Sequence, residues 1–375
     1  MKQGLTKNDS LAIKGLAILL LLYHHLYQNI ERFENFDISF APLGQELAMS
    51  ISIMCKICVS IFAFITGYGL LKSISRVNFN RKEIFKWNIT RLVKTLSGFW
   101  FIYTIAFIVT MAIDKLPVKT YFAKGETAGI MYIINDFLGL AGLFDTPTLC
   151  ATWWYMSAAI VFILIIPLVY IVSKRVGYLP VLLVLSALPR LMNVGYPGGT
   201  NIYTFVFPVI FGMIFADYNL FEKIEKHSPK NKYAAYILHF VLFEALTVGS
   251  YYIHASAYNR IAAWELNYGL IPVFFICFFR FCIVRIPILK QTLKFIGVHS
   301  MTIFLTHTFI RHTYLNEFVY TSSKNFLGIF AVLFAMSLVL ALILDYFKKL
   351  CRYDKLINKM LDKFNKKLET KEKEA

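Results

Sequence analysis

Ten apolar segments, each near the length of a bilayer crossing, recur along the chain close to residues 10–30, 47–71, 88–113, 150–172, 179–193, 202–216, 233–253, 266–284, 295–310 and 326–347. A chain that must place so many such runs has few options. In lipid every backbone polar group is satisfied within its own segment, so the expected fold is all-α: a polytopic membrane protein of about 10 transmembrane helices. The composition agrees, with 58% hydrophobic and 16% charged residues among 375. The fifth, sixth and ninth segments are short. A further apolar stretch, 128–143, is interrupted by Asn135 and Asp136 and reads either as a surface half-helix or as an eleventh span.

Charge bias decides between these counts. With ten spans and a cytoplasmic N-terminus, the inner segments 1–9, 72–87, 173–178, 217–232, 285–294 and 348–375 hold 26 Lys and Arg. The outer loops 31–46, 114–127, 194–201, 254–265 and 311–325 hold 7. An eleventh span would put the basic segments 217–232 and 348–375 outside, against the positive-inside rule. Both termini are therefore expected in the cytoplasm of a multi-pass cell-membrane protein. The first apolar run has no small-residue cleavage site behind it and reads as a retained helix.

The net charge of +17 thus needs no nucleic-acid partner. It belongs to a cytoplasmic surface facing the anionic lipid bilayer. Residues 1–350 form a single transmembrane domain, and 351–375 a basic amphipathic cytoplasmic tail whose end, from Glu369, is expected to fray. Cys55 and Cys58 form a C-x-x-C inside a predicted span with no second pair nearby. They read as small packing residues, and no metal is expected.

Six Lys or Arg remain within the predicted spans: Lys14, Lys56, Arg91, Lys94, Arg190 and Arg280. For Lys56 and Arg190 snorkelling to the interface is the simpler reading. Lys14, Arg91 and Lys94 lie toward the cytoplasmic ends of the first and third helices. Together they suit a polyanionic ligand such as the phosphates of a nucleotide-containing donor. Arg91 and Lys94, at i and i+3, point the same way.

The first helix also carries His25, eleven residues after Lys14. Eleven steps of 100° return to within about 20° of the same face, roughly 16 Å further along. A cation and an imidazole therefore share one stripe, while His24 points elsewhere. Ionisable groups at such depth mark a pathway or a site. A second intramembrane histidine, His307, lies in a segment made polar by Gly297, Ser300, Thr302 and Thr306, as expected of a helix lining a wet cavity.

These residues resemble the acyltransferase-3 family of integral-membrane acyltransferases. KGLAILLLLYHH (14–25) is similar to the family's first-helix signature, a basic residue, then Gly, then His eleven positions after the basic residue. VSIFAFITGYG (59–69) resembles the second-helix segment, with Thr66 where Ser is common. RLVKTLSGFW (91–100) resembles the R-x-x-R-x-x-P-x-F/Y element. TWWYMS (152–157) and FIGVHSMTIFLTH (295–307) are similar to the mid-chain Trp segment and the late G-x-x-S…H segment. Lys stands at 14 and 94 where the family has Arg, keeping the charge but losing the bidentate fork. Ser97 stands where Pro is usual, removing the source of a kink.

The resemblance implies transfer of an acyl group, usually acetyl, from acyl-CoA to a hydroxyl of an exported or surface carbohydrate. Acetyl-CoA or another acyl-CoA is then the donor, and a polysaccharide or lipid-linked sugar the acceptor. Together with the helix geometry it implies CoA phosphates against Arg91 and Lys94, helped by Lys14. The pantetheine arm would run along the Lys14–His25 stripe, with His25 as general base on the acceptor hydroxyl. An acyl-imidazole relay is the competing variant, and nothing in the sequence separates the two. Asp136, Asp145, Glu244 and Glu265 are unranked candidates for a carboxylate that orients His25; Asp9 is at the wrong end of the helix. Ser300 and His307 are candidate lining residues. So are Trp153 and Trp154, which could stack on a sugar, although interfacial aromatic belts are commoner. The outer segments 114–149 and 254–265 are expected to select the acceptor. A transporter or flippase for an anionic or glycan substrate is the alternative class, disfavoured because the two halves show no matching pair of interrupted helices.

Overall fold

The computed structural model describes residues 4–123, 126–191, 202–256 and 269–373. Among these the regular structure is helical; extended backbone pairs in an isolated parallel bridge between Ser39 and Asn325. Each of the ten apolar segments is mostly helical where it is described, with breaks at Cys55–Lys56 and at His299. Six helices are long and apolar enough to cross a membrane by themselves: Lys7–Tyr27, Gln45–Ile74, Arg81–Asp114, Ala151–Val176, Lys232–Tyr252 and Phe326–Leu350. The number reaches eight if two bent pairs, Thr204–Asp217 with Leu220–Lys226 (57°) and Ile271–Arg285 with Pro287–Val298 (120°), each count as one span. The 128–143 stretch forms two short helices, Glu126–Phe137 and Ala141–Phe144. The Arg190 side chain, loop 194–201 and residues 257–265 with Glu265 lie outside the described residues.

The chain divides into two compact units. The first comprises 1–73, 168–195 and 201–338, and the second 74–167, 196–200 and 339–375.

In the first unit, the Lys7–Tyr27 helix starts at a capping box. The Thr6 hydroxyl accepts from the Asp9 amide, and the Asp9 carboxylate accepts from the Thr6 amide, both at 3.1 Å. Buried Asp9 also pairs with Lys290 (2.7 Å) and Arg280 (3.7 Å), and Glu225 pairs with Arg280 (3.9 Å) and Arg285 (3.7 Å). Arg280, a cation left inside the membrane by the sequence count, is thus tied into an ion-pair network. Further along, this helix crosses Pro287–Val298 at contact distance, because Gly15 faces the Leu293 carbonyl and Gly297 faces that of Leu11. Gly67 and Gly212 make a matching crossing between Ile57–Ile74 and Ile202–Asp217. At its C-terminal end Tyr27 donates to the Phe326 carbonyl (2.7 Å) and Tyr320 to that of Leu26 (2.9 Å).

The second unit is built on Arg81–Asp114, a 34-residue helix that runs unbroken through Ser97. Asn80 caps its start by accepting from the Glu83 amide (2.8 Å). The last helix, Tyr353–Lys373, lies along it: Tyr353 packs on Phe101 (5.2 Å), Phe364 on Phe85 (6.4 Å), and Lys86 pairs with Glu369 (2.8 Å). Ile357 and Leu361 are the buried residues of its inner face.

Candidate active site

The two neighbouring histidines of the first helix have different surroundings. His24 spends both nitrogens: Nδ1 donates to the Ser52 carbonyl (2.8 Å), and Nε2 accepts from the Gln28 amide (2.7 Å), with that amide oriented to satisfy its neighbours. His24 is a tie between helices. His25 is half-buried, and its buried Nδ1 has no hydrogen-bond partner. Its ring centroid lies 5.1 Å from that of His307, with the planes tilted by 33°.

His307 is fully buried and fixed in one tautomer. Its Nδ1 donates to the Phe304 carbonyl (2.9 Å) and lies 3.2 Å from that of Ile303. Nε2 is left as an acceptor, and the Thr308 hydroxyl lies 3.3 Å away. The fold thus brings together the two intramembrane histidines singled out from the sequence, 282 positions apart. Ser300 sits on the same polar helix and donates to the Gly297 carbonyl (2.9 Å), bridging the break at His299.

Among the described residues no carboxylate lies within ion-pair range of His25. Asp9 is held by Lys290 and Arg280. Asp136 accepts from Tyr121 (2.6 Å), Thr148 (2.9 Å) and the Leu149 amide (2.7 Å), closing the 138–149 loop in the second unit. Burial pushes the Asp136 carboxyl up to about 6, against these donors, which pull it down.

Lys14 is half-buried in the first unit and has no acidic partner among the described residues. The helix between it and His25 is uninterrupted, so the separation of roughly 16 Å holds. Arg91 and Lys94 belong to the second unit. Arg91 is half-buried with its guanidinium 5.9 Å from the Trp87 ring centroid, and Lys94 is exposed. Trp153, in the same unit, is buried against Phe99 (5.1 Å, perpendicular) and Tyr103 (5.6 Å); Trp154 is half-buried beside Tyr155.

Two arginines join the histidines without having been singled out. Arg32 donates to the His25 carbonyl (2.8 Å) and to the Gln28 amide oxygen (2.7 Å). Arg311 is 4% exposed, in a π-helical segment Phe309–Tyr314 that directly continues the His307 helix. Its charge reaches His25, His307 and Arg32, and it bonds the Tyr320 hydroxyl. Both were counted as outer-loop charges. For Arg311 the signal that could have found it is spacing, i+4 from His307 on one helix face; Arg32 lies past the end of the first helix, in the turn Ile30–Arg32, and no such spacing marks it.

Two imidazoles, one tautomer-fixed and one with an unpartnered nitrogen, thus lie in ring contact among apolar helices. Residues 11–346 match the model of the acyltransferase-3 family, described as an acyltransferase domain. The chain belongs to that family, and it is a membrane acyltransferase. No curated protein and no solved structure matches it. Among the described residues no group of three or more His, Cys, Asp or Glu is placed to hold a metal ion.

Proposed function

We propose that this protein is an O-acetyltransferase of the cell membrane, moving an acetyl group from cytoplasmic acetyl-CoA to a hydroxyl of a cell-surface or exported carbohydrate. The observation that carries the reading is His25: a half-buried imidazole with an unpartnered nitrogen, in ring contact with His307, on the stripe that begins at Lys14.

In this scheme a neutral His25 takes the proton of the acceptor hydroxyl as the oxygen attacks the thioester carbonyl. The C–O bond forms, the C–S bond breaks, and CoA leaves as the thiolate that the proton later neutralises. His307 and Ser300 line the acceptor side. Arg91 and Lys94 bind the donor phosphates, and Lys14 is a further donor-binding cation. Trp154, the less buried of the two tryptophans, is the better placed to meet a sugar.

The test is transfer of label from acetyl-CoA into the carbohydrate fraction, by membranes holding either wild type or His25→Ala. Loss of transfer, with protein level and unfolding temperature unchanged, is the expected result. Retained turnover removes His25 from the chemistry. His24→Ala is the companion variant, and there the expected loss is in stability, because the Ser52 carbonyl and the Gln28 amide lose their partner.

A further inference from the structure

The first helix ends in a buried turn, with His24, Leu26 and Tyr27 all buried, and a helix end leaves its last carbonyls without amides of its own. Each of the three carbonyls around His25 is met by a side chain from elsewhere in the unit. The His24 carbonyl accepts from the Ser52 hydroxyl (3.1 Å), the Leu26 carbonyl from Tyr320 (2.9 Å), and the His25 carbonyl from the Arg32 guanidinium (2.8 Å). Arg32 reaches back because the chain reverses at once. Asn29 accepts from the Glu31 amide (3.2 Å), the turn Ile30–Arg32 follows, and Phe33 is buried against Tyr27 (5.7 Å) and Phe40 (5.5 Å). With Phe33 anchored, Arg32 folds onto the helix that precedes it.

Ser52 and Tyr320 are neutral donors, whereas the bond at His25 is charge-assisted and so the stronger kind. The same guanidinium grips the Gln28 amide oxygen with both terminal nitrogens (2.7 and 2.9 Å), and the Gln28 amide donates to His24 Nε2 (2.7 Å). His24 Nδ1 in turn donates to the Ser52 carbonyl (2.8 Å). A hydrogen-bonded chain thus runs from Arg32 through Gln28 and His24 to Ser52. It fixes the backbone that carries His25, while the His25 Nδ1 makes no bond. A cation here also offsets the partial negative charge that a helix terminus sets beside that imidazole.

We propose that Arg32 is a positioning residue for acyl transfer: by holding the His25 carbonyl and the Gln28 amide, it sets where the imidazole meets the acceptor hydroxyl. The proposal rests on the reading of His25 as the acylation centre. A base acts only within hydrogen-bond reach of the proton it takes, and a misplacement of about 1 Å costs on the order of 100-fold in rate. A fixed backbone leaves only the side-chain torsions of His25 to be set by its neighbours.

The test is the rate of label transfer from acetyl-CoA into the carbohydrate fraction, over a range of acetyl-CoA concentrations. Membranes hold equal amounts of wild type, Arg32→Gln, Arg32→Lys or Arg32→Ala, and the assay runs well below the unfolding temperature of each purified variant. Arg32→Gln should lower kcat about 10- to 100-fold and leave KM for acetyl-CoA unchanged, because donor binding is assigned to other cations. Arg32→Lys, which restores the charge without the fork, should recover part of the loss. Guanidinium chloride, far below its denaturing range, should raise the rate of Arg32→Ala and not that of wild type, and equal sodium chloride should raise neither. A residue that only stabilises the fold would show no loss under these conditions. Unchanged kcat in Arg32→Gln, a change confined to KM, or a loss that neither Arg32→Lys nor guanidinium recovers overturns the proposal. If Arg32→Gln keeps full kcat while His25→Ala abolishes transfer, positioning fails and the acylation reading stands. If His25→Ala turns over normally, the acylation reading fails, and the role of Arg32 through His25 falls with it.

Discussion

A Cβ at Gly15 would sit 1.9 Å from the Leu293 carbonyl oxygen, and one at Gly297 would sit 1.8 Å from that of Leu11. These distances are to backbone, which cannot rotate away as a side chain can. The glycine that follows Lys14 in the first-helix signature and the glycine of the late segment are therefore two halves of one helix crossing. That crossing sets the depth at which His25 faces His307. Gly15→Ala and Gly297→Ala should each cost about 1–3 kcal/mol or more, as overpacking does, read as a lowered unfolding temperature. Gly69→Ala is the control, since nothing lies within 4 Å of its Cβ position. Neither the partner of Gly15 nor that of Gly297 could be read from the chain, because a glycine in a motif says only that something comes close. His25 and His307 were legible as polar exceptions in apolar runs. Arg32 and Arg311 were not, because a charge just past a span end looks like an ordinary loop charge until the fold is seen to bring it back, Arg32 through the turn Ile30–Arg32 and Arg311 through the continuation of the His307 helix.

Helices as elements were legible wherever hydropathy governs them, and their interruptions were not. Gln45–Met54 and Ile57–Ile74 are separated at Cys55 and Lys56, inside what reads as one apolar run. The helix beginning at Pro287 likewise stops at His299 and resumes at Ser300. Hydropathy averages over such breaks, since each costs a few backbone hydrogen bonds and no apolar residues. The tail shows another limit of pattern reading. Its amphipathic period was clear, but the period does not say what the apolar face meets. In the structure Ile357 and Leu361 are buried and Phe364 packs on Phe85, while Leu356 and Met360 stay exposed. The family match ends at 346, before this helix, which docks on the element that carries Arg91 and Lys94. Ending the chain after Leu350 should remove about 3–6 kcal/mol of apolar burial from Ile357 and Leu361, an upper figure. It should lower the unfolding temperature of the second unit and leave the contact between His25 and His307 intact. An unchanged melting profile would show that the docked helix contributes no stability.

On the scale of the whole molecule, the candidate chemistry is divided between the two compact units. Lys14, His25 and His307 fall in the first, and Arg91 and Lys94 in the second. The donor-binding and imidazole assignments can therefore be probed by substitutions in different units. Acetyl-CoA binding to the purified protein, measured by calorimetry, tests them. Arg91→Ala should lose about tenfold or more in donor affinity, the value of a charge-assisted phosphate contact. His25→Ala should bind the donor like wild type, since an imidazole that acts on the acceptor hydroxyl adds little to the ground-state affinity for CoA. Equal affinity in wild type and Arg91→Ala would move the donor phosphates away from the long helix of the second unit. A loss in His25→Ala instead would place the imidazole against the thioester, the arrangement an acyl-histidine relay requires.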